Sequence, residues 1–181
     1  MQNPASRRLW LVSTPAVDRY RRDADLQGKL DESLPVAGID FTEYDIVFLA
    51  GGWGAAYDLG FSEDLGRKIT EANAAGIILG GVCHGPLGLL RAKAEDGRPL
   101  VANRRLTAVT DKQVRELGIE ITPQHPEREL RAAGALFESS TAALDAFATH
   151  VVVDGNLVTG QNQNSGGETA QRMLARLAGR S

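Results

Sequence analysis

A cysteine followed directly by a histidine, Cys83-His84, stands between two glycines, Gly81 and Gly85, each two residues from the sulfur-bearing position. That is the glycine-x-nucleophile-x-glycine spacing of a nucleophile elbow, with a thiol where hydroxyl enzymes carry serine. The spacing has a steric origin. An elbow strains the backbone at its nucleophile, and side chains two residues away would strike the strand before it and the helix after it. A thiol held there meets the free N–H groups of a helix N-terminus, which favour thiolate, and such a thiolate would oxidise readily. His84 adds a proton acceptor at the same spot. A lone cysteine outside such a frame reads as a small buried apolar residue; inside it, Cys83 reads as a nucleophile.

The surrounding pattern supplies the elements that must hold this pair. Ile77-Ile78-Leu79 reads as a strand entering the elbow, and Leu87 to Lys93 as a helix leaving it. Tyr44 to Ala50 reads as a second strand, running into Gly51-Gly52-Trp53-Gly54. Ser62 caps an expected helix over Glu63 to Ala75, which Gly76 ends. Downstream come a turn at Asp96-Gly97, a strand at Leu106 to Val109, a short helix or loop from Asp111 to Leu117, and a helix from Pro126 to Ala133. Val151 to Thr159 reads as a hairpin about Asp154-Gly155. Ser165 with Glu168 reads as a capping box opening a last helix through Leu177. Nearer the start, Leu9 to Ser13 reads as a strand, and Leu26 with Leu30 as one face of a short helix.

Strands alternating with helices predict one α/β domain over residues 1–181, with a mostly parallel sheet covered on both faces. Sites in such sheets form where strands end and loops converge. The Gly51–Gly54 loop and the elbow both follow strands, so they are expected to share a pocket. There the N–H of His84 and one from Gly52 or Trp53 would face the oxygen of a carbonyl under attack by Cys83. Gly52, Trp53 and Gly85 are accordingly the candidate oxyanion and substrate-binding residues. Asp111 and Glu116 could orient the His84 imidazole or stand solvated at the surface. His125 and His150 read as surface or strand-edge residues.

Composition narrows the function class. The 20 basic and 23 acidic residues are interspersed and leave a formal charge of −3, which offers no footprint for nucleic acid or a membrane surface. One cysteine excludes an intramolecular disulfide, and three histidines without a cysteine pair do not make the familiar zinc patterns, so no metal is expected. No apolar run reaches the ~18 residues of a membrane span. The expectation is a cytoplasmic protein whose partners are small molecules or a second copy.

The stretch Asp45 to Gly54, the Val82-Cys83-His84-Gly85-Pro86 elbow, Asp96-Gly97 with Leu100-Val101, and Val152 to Asn162 with Thr159-Gly160-Gln161-Asn162 together resemble the ThiJ/PfpI superfamily, in particular its glyoxalase III-like, heat-shock chaperone-like branch. The likeness runs from Leu9 to the C-terminus. It implies a flavodoxin-like three-layer sandwich, a homodimer, and no metal or organic cofactor. It also implies conversion of methylglyoxal or a related 2-oxoaldehyde to a 2-hydroxy acid, with Cys83 adding to the aldehyde and His84 shuttling the proton. Two other readings fit the same elbow: a redox-sensing or chaperone-like stress protein that does not catalyse, and amidotransferase- or peptidase-like cysteine chemistry.

The chain departs from the family pattern at three places. Trp53 stands where the glycine loop commonly carries histidine. The family's acid bonded to the histidine falls on Arg115 without a gap, with Glu116 one residue on. The family's first strand and helix, whose turn carries a glutamate bonded to the sulfur, have no counterpart ahead of Arg8. Leu9 to Ser13 is expected to move inward to the vacant central place, which would bring Asp18 beside Cys83 in the glutamate's stead.

Overall fold

A computed structural model describes residues 18, 19, 21–141 and 148–179. The run expected as an inward strand, Leu9 to Ser13, and the residues after it up to Val17 lie outside these residues. The chain divides into two compact units, one ending at Ile39 and the other beginning at Asp40. In the first, residues 18 and 19 are helical, and helix α1 spans Ala24–Asp31. Asp23 caps α1, its carboxylate accepting from the N–H groups of Asp25 and Leu26 at 3.1 Å each. The α1 side chains Leu26 and Leu30 do not become core: no residue of α1 is buried.

The second unit is built on a four-stranded sheet in the order β1 (Ile46–Leu49), β2 (Ile78–Val82), β6 (Leu157–Gly160), β5 (Val151–Asp154). β1, β2 and β6 run parallel, and β5 closes the sheet as the antiparallel arm of a hairpin. The expected mostly parallel α/β sheet is therefore what the chain forms. β2 is buried at all five positions, as a central strand covered on both faces should be. Asp154 pairs with Leu157, so the hairpin turn is Gly155-Asn156, with Gly155 at φ +56°, a backbone region glycine enters without penalty.

Between the strands lie α2 (Ala55–Asp58), α3 (Glu63–Ala74), α4 (Asp111–Glu116) and α5 (Pro126–Ala132), and α6 (Gly166–Ala178) follows β6. A second, two-stranded parallel sheet joins β3 (Arg105–Leu106) to β4 (Leu136–Phe137). Ser62 caps α3 as expected, its hydroxyl accepting from Leu65 N–H at 3.2 Å. The buried face of α3 is Leu65, Gly66, Ile69 and Ala72. Asp154 ties the second sheet to the hairpin, its Oδ2 accepting from Arg104 Nε at 2.9 Å and from the Arg105 N–H at 2.8 Å.

Three local expectations are corrected. The segment after the elbow is a 3₁₀ turn, Gly85–Leu89, rather than an α-helix; two glycines and a proline in five residues are poor material for an α-helix. The strand expected over Leu106 to Val109 stops at Leu106. Ser165 does not cap α6 with its side chain. Its hydroxyl instead bonds Asn162 Oδ1 at 3.3 Å and accepts the His150 N–H at 3.2 Å, because Asn162 already caps the 3₁₀ turn Gln163–Ser165 that leads into the helix.

α6 covers β2 and β6 through Met173, which is 1 % exposed and packs with Ile78 and Val158. Gly80 makes that approach possible, since a Cβ there would lie 2.5 Å from the Met173 side chain. Replacing Met173 by alanine leaves a cavity under the elbow strand, and urea unfolding should show a stability loss of about 2 to 5 kcal/mol.

Candidate active site

The elbow is built by close approach. Cys83 has φ +60°, a conformation that costs a non-glycine residue about 1 to 3 kcal/mol and survives only where its surroundings enforce it. Two hydrogen bonds do so: Cys83 N–H donates to Gly160 C=O at 3.1 Å, and Cys83 C=O accepts from Val109 N–H at 3.0 Å. The glycine frame is steric, but the close neighbour is chiefly the adjacent strand β1 and not the elbow's own strand and helix. A Cβ on Gly85 would overlap the Leu49 carbonyl, and one on Gly51 would lie 2.5 Å from Val82 O and 2.8 Å from Cys83 Cβ. The ends of β1 and β2 are thus pressed together, and the Gly51–Gly54 loop lies against the elbow.

At the sulfur, Sγ is 3.4 Å from His84 Nδ1. The backbone N–H groups of His84 and Gly52 also bond it, so the sequence-predicted pair and Gly52 meet at one atom. Gly52 has φ +117°, and its backbone turns toward the elbow. Trp53 joins Cys83 against the buried cluster Val109, Val114 and Ile119. Its ring meets Tyr57 edge-on with centroids 6.4 Å apart. The Trp53 Nε1–H is buried with no partner among the described residues.

The electrostatics differ from the thiolate expectation. Burial pushes the Cys83 thiol up to about 11, against the opposing pull of the His84 and Gly52 N–H groups. The residue as a whole is half-buried. Burial also pushes His84 down to about 4, and the charge of His125 adds to this. Near neutral pH the site holds a thiol beside a neutral imidazole. A five-residue 3₁₀ turn supplies too little dipole to outweigh desolvation.

Glu116 is exposed and pairs with Lys112 at 3.8 Å; Arg115 is exposed. Val114 of α4 belongs to the apolar cluster against which Cys83 and Trp53 pack. Asp111 opens α4, its N–H donating to Glu127 Oε2 at 2.9 Å. Asp18 belongs to the first unit, and Cys83 and His84 to the second. His150 lies 3.7 Å from Glu138. His125, read from sequence as a surface residue, is the unexpected neighbour: it precedes α5, its Nδ1 is 3.6 Å from Asp111 Oδ1, and its charge reaches His84. The only local hint was Pro126, which marks His125 as the residue before a helix. Among the described residues no three His, Cys, Asp or Glu groups converge as a metal site, and no helix is long and apolar enough to cross a membrane.

The model of the DJ-1/PfpI family matches residues 11–176. The chain is 30 % identical over 161 residues to the glutathione-independent glyoxalase hsp3101 of Schizosaccharomyces pombe, covering 84 % of this chain and 65 % of that protein. It is 29 % identical over 165 residues to the glutathione-independent glyoxalase HSP31 of Saccharomyces cerevisiae, covering 87 % and 68 %. The chain therefore spans about two-thirds of the length of these curated relatives. Among solved structures, the fold matches glyoxalase III of Candida albicans with a TM-score of 0.77 at 23 % identity, covering 88 % of this chain and 69 % of that one.

Two measurements check the electrostatics. Alkylation of Cys83 should be slow at pH 7 and rise toward pH 11, following the raised thiol. His84 titrates near 6.5 unfolded and about 4 folded, so between those values the unfolded chain binds the proton the native chain refuses. The stability held by neutral His84 is full above pH 6.5 and is lost as pH falls through 4, a change of about 3 kcal/mol. Urea unfolding at pH 7 and 4.5 should show this loss in the wild type and not in His84→Gln.

Proposed function

The chain belongs to the DJ-1/PfpI family, and we propose that it is a cofactor-independent glyoxalase III-type enzyme, converting methylglyoxal or a related 2-oxoaldehyde to the 2-hydroxy acid. The observation that carries this reading is the strained Cys83, at φ +60° with Sγ 3.4 Å from His84 Nδ1 and two backbone N–H groups converging on the sulfur. The names of the relatives support the same activity.

The chemistry follows from the proton inventory. As Sγ bonds the aldehyde carbon, the thiol proton passes to His84 Nδ1 and the carbonyl oxygen takes up negative charge, near the N–H groups of Gly52 and His84. Protonation of that oxygen gives a hemithioacetal. Neutral His84, held below the usual imidazole range, is free to take the hydrogen of the former aldehyde carbon as a proton. Returning it to the neighbouring carbon, while the hydroxyl proton passes from the first oxygen to the second, leaves a thioester of the 2-hydroxy acid. Water then breaks the S–C bond, releasing the acid and restoring the thiol. One carbon is oxidised and its neighbour reduced, so the electrons balance within the substrate. The buried Trp53 Nε1–H, which lacks a partner among the described residues, serves as donor to the second carbonyl oxygen. Gly85 keeps the elbow compact beneath it. On this reading the protein acts in the cytoplasm as a homodimer.

The redox-sensing alternative draws on Val114, which sets an apolar side chain of α4 against Cys83. One experiment separates the two. Purified protein should consume methylglyoxal without glutathione and release lactate, Cys83→Ala should fall to background, and His84→Ala should lower kcat by about 10² to 10⁴. Equal consumption by the wild type and Cys83→Ala would remove the enzyme reading.

A further inference from the structure

The tautomer of His125 is set by its backbone neighbour. Nε2 lies 3.1 Å from the Glu120 carbonyl, and a carbonyl oxygen only accepts, so Nε2 carries the hydrogen and Nδ1 of the neutral ring is a bare acceptor. That Nδ1 is buried with no hydrogen-bond partner among the described residues, and so is Asp111 Oδ1, which faces it at 3.6 Å. Two acceptors without a donor are costly in a buried place.

His84 presents the converse. The S–H of a neutral Cys83 donates to Nδ1 at 3.4 Å, so a neutral His84 carries its own hydrogen on Nε2. That donor is buried and has no acceptor among the described residues. The surplus donor and the surplus acceptors border the same elbow. Val109 N–H bonds the Cys83 carbonyl, and Asp111 follows two residues later. His125 immediately precedes α5, which packs against the Gly85–Leu89 turn that begins after His84. The remaining charges around Asp111 are already committed: Glu127 accepts the Asp111 N–H and pairs with Arg131 at 3.0 Å, and Lys112 pairs with Glu116.

We propose that His125 and Asp111 position His84 through one water, which accepts the His84 Nε2–H and donates to His125 Nδ1 and Asp111 Oδ1, and so keeps His84 Nδ1 turned to the sulfur as base. When His84 Nδ1 gains the thiol proton during turnover, the Nε2–H keeps its acceptor and Asp111 answers the charge of the imidazolium. The catalytic consequence rests on the glyoxalase reading; the hydrogen bond does not.

The test has two arms on the full chain. Nitrogen NMR of the three histidines and the pH profile of Cys83 alkylation need no turnover. In the wild type His84 should show hydrogen on Nε2. In His125→Ala and Asp111→Asn it should become a mixture of tautomers, and the alkylation profile should shift. His125→Gln, which keeps an acceptor oxygen, should recover part of the wild-type behaviour and carries the test if His125→Ala does not fold. In the second arm, methylglyoxal turnover by His125→Ala should lose about tenfold to a hundredfold in kcat, less than the loss of the base itself, with KM changed less than about twofold. Unchanged His84 nitrogen shifts and alkylation profiles in both His125→Gln and Asp111→Asn would overturn the proposal, as would a change in melting temperature alone. Inactive wild-type protein with the expected tautomer would sink the glyoxalase reading and leave this one standing.

Discussion

Cys83 is held in the left-handed backbone region by a bond on each side, its N–H to Gly160 and its C=O from Val109. Much of the second unit serves those two bonds. β6 must lie parallel to β2 to present the Gly160 carbonyl, and the chain after β3 must leave its short strand to bring Val109 across. Both depend on β2 being central and glycine-rich. Gly80 admits Met173 of α6 on one side, and Gly81 lets the Leu49 carbonyl of β1 approach to 3.0 Å of where a Cβ would stand. Local strain at the sulfur is thus set against packing spread over three strands and a helix.

The elbow's position also fixes its electrostatics. Held against Val109, Val114, Ile119 and Trp53, the sulfur and imidazole lose solvent that neither N–H group replaces. Both groups are driven to their uncharged forms. A neutral donor–acceptor pair is what such a pocket can hold at rest. Charge then develops only when a substrate oxygen arrives to receive it, and preformed backbone N–H groups wait at that place.

Legibility in the sequence followed the range of the physics involved. The Gly155 hairpin answers to torsions within a few residues, and its residue types declare it; the glycines around Cys83 declare the elbow by their spacing, although the neighbour they admit is β1. The capping role expected of Ser165 failed because its hydroxyl is engaged by Asn162 Oδ1 and the His150 N–H, partners that propensity alone does not reveal. The helix after the elbow was read too regularly, since its glycines and proline were credited to the elbow and not debited from the helix. His125 was hidden for another reason. Its meaning comes from Asp111, 14 residues away at the start of a different helix, and no period or motif encodes the meeting of two helix N-termini. Val114 likewise shows its importance only once it is seen in the cluster against which Cys83 packs.

A thiol kept protonated at rest has a consequence for chemical selectivity. Peroxides and disulfides react with thiolate and scarcely with thiol, so the buried, neutral Cys83 is shielded from the oxidants that a conventional activated cysteine would meet first. A carbonyl compound brings its own proton acceptor in the oxygen that becomes negative on addition, and can draw the proton off as it binds. The enclosure that weakens Cys83 as a general nucleophile therefore makes it discriminating, answering to electrophiles that carry an oxygen into the N–H cradle and ignoring those that do not.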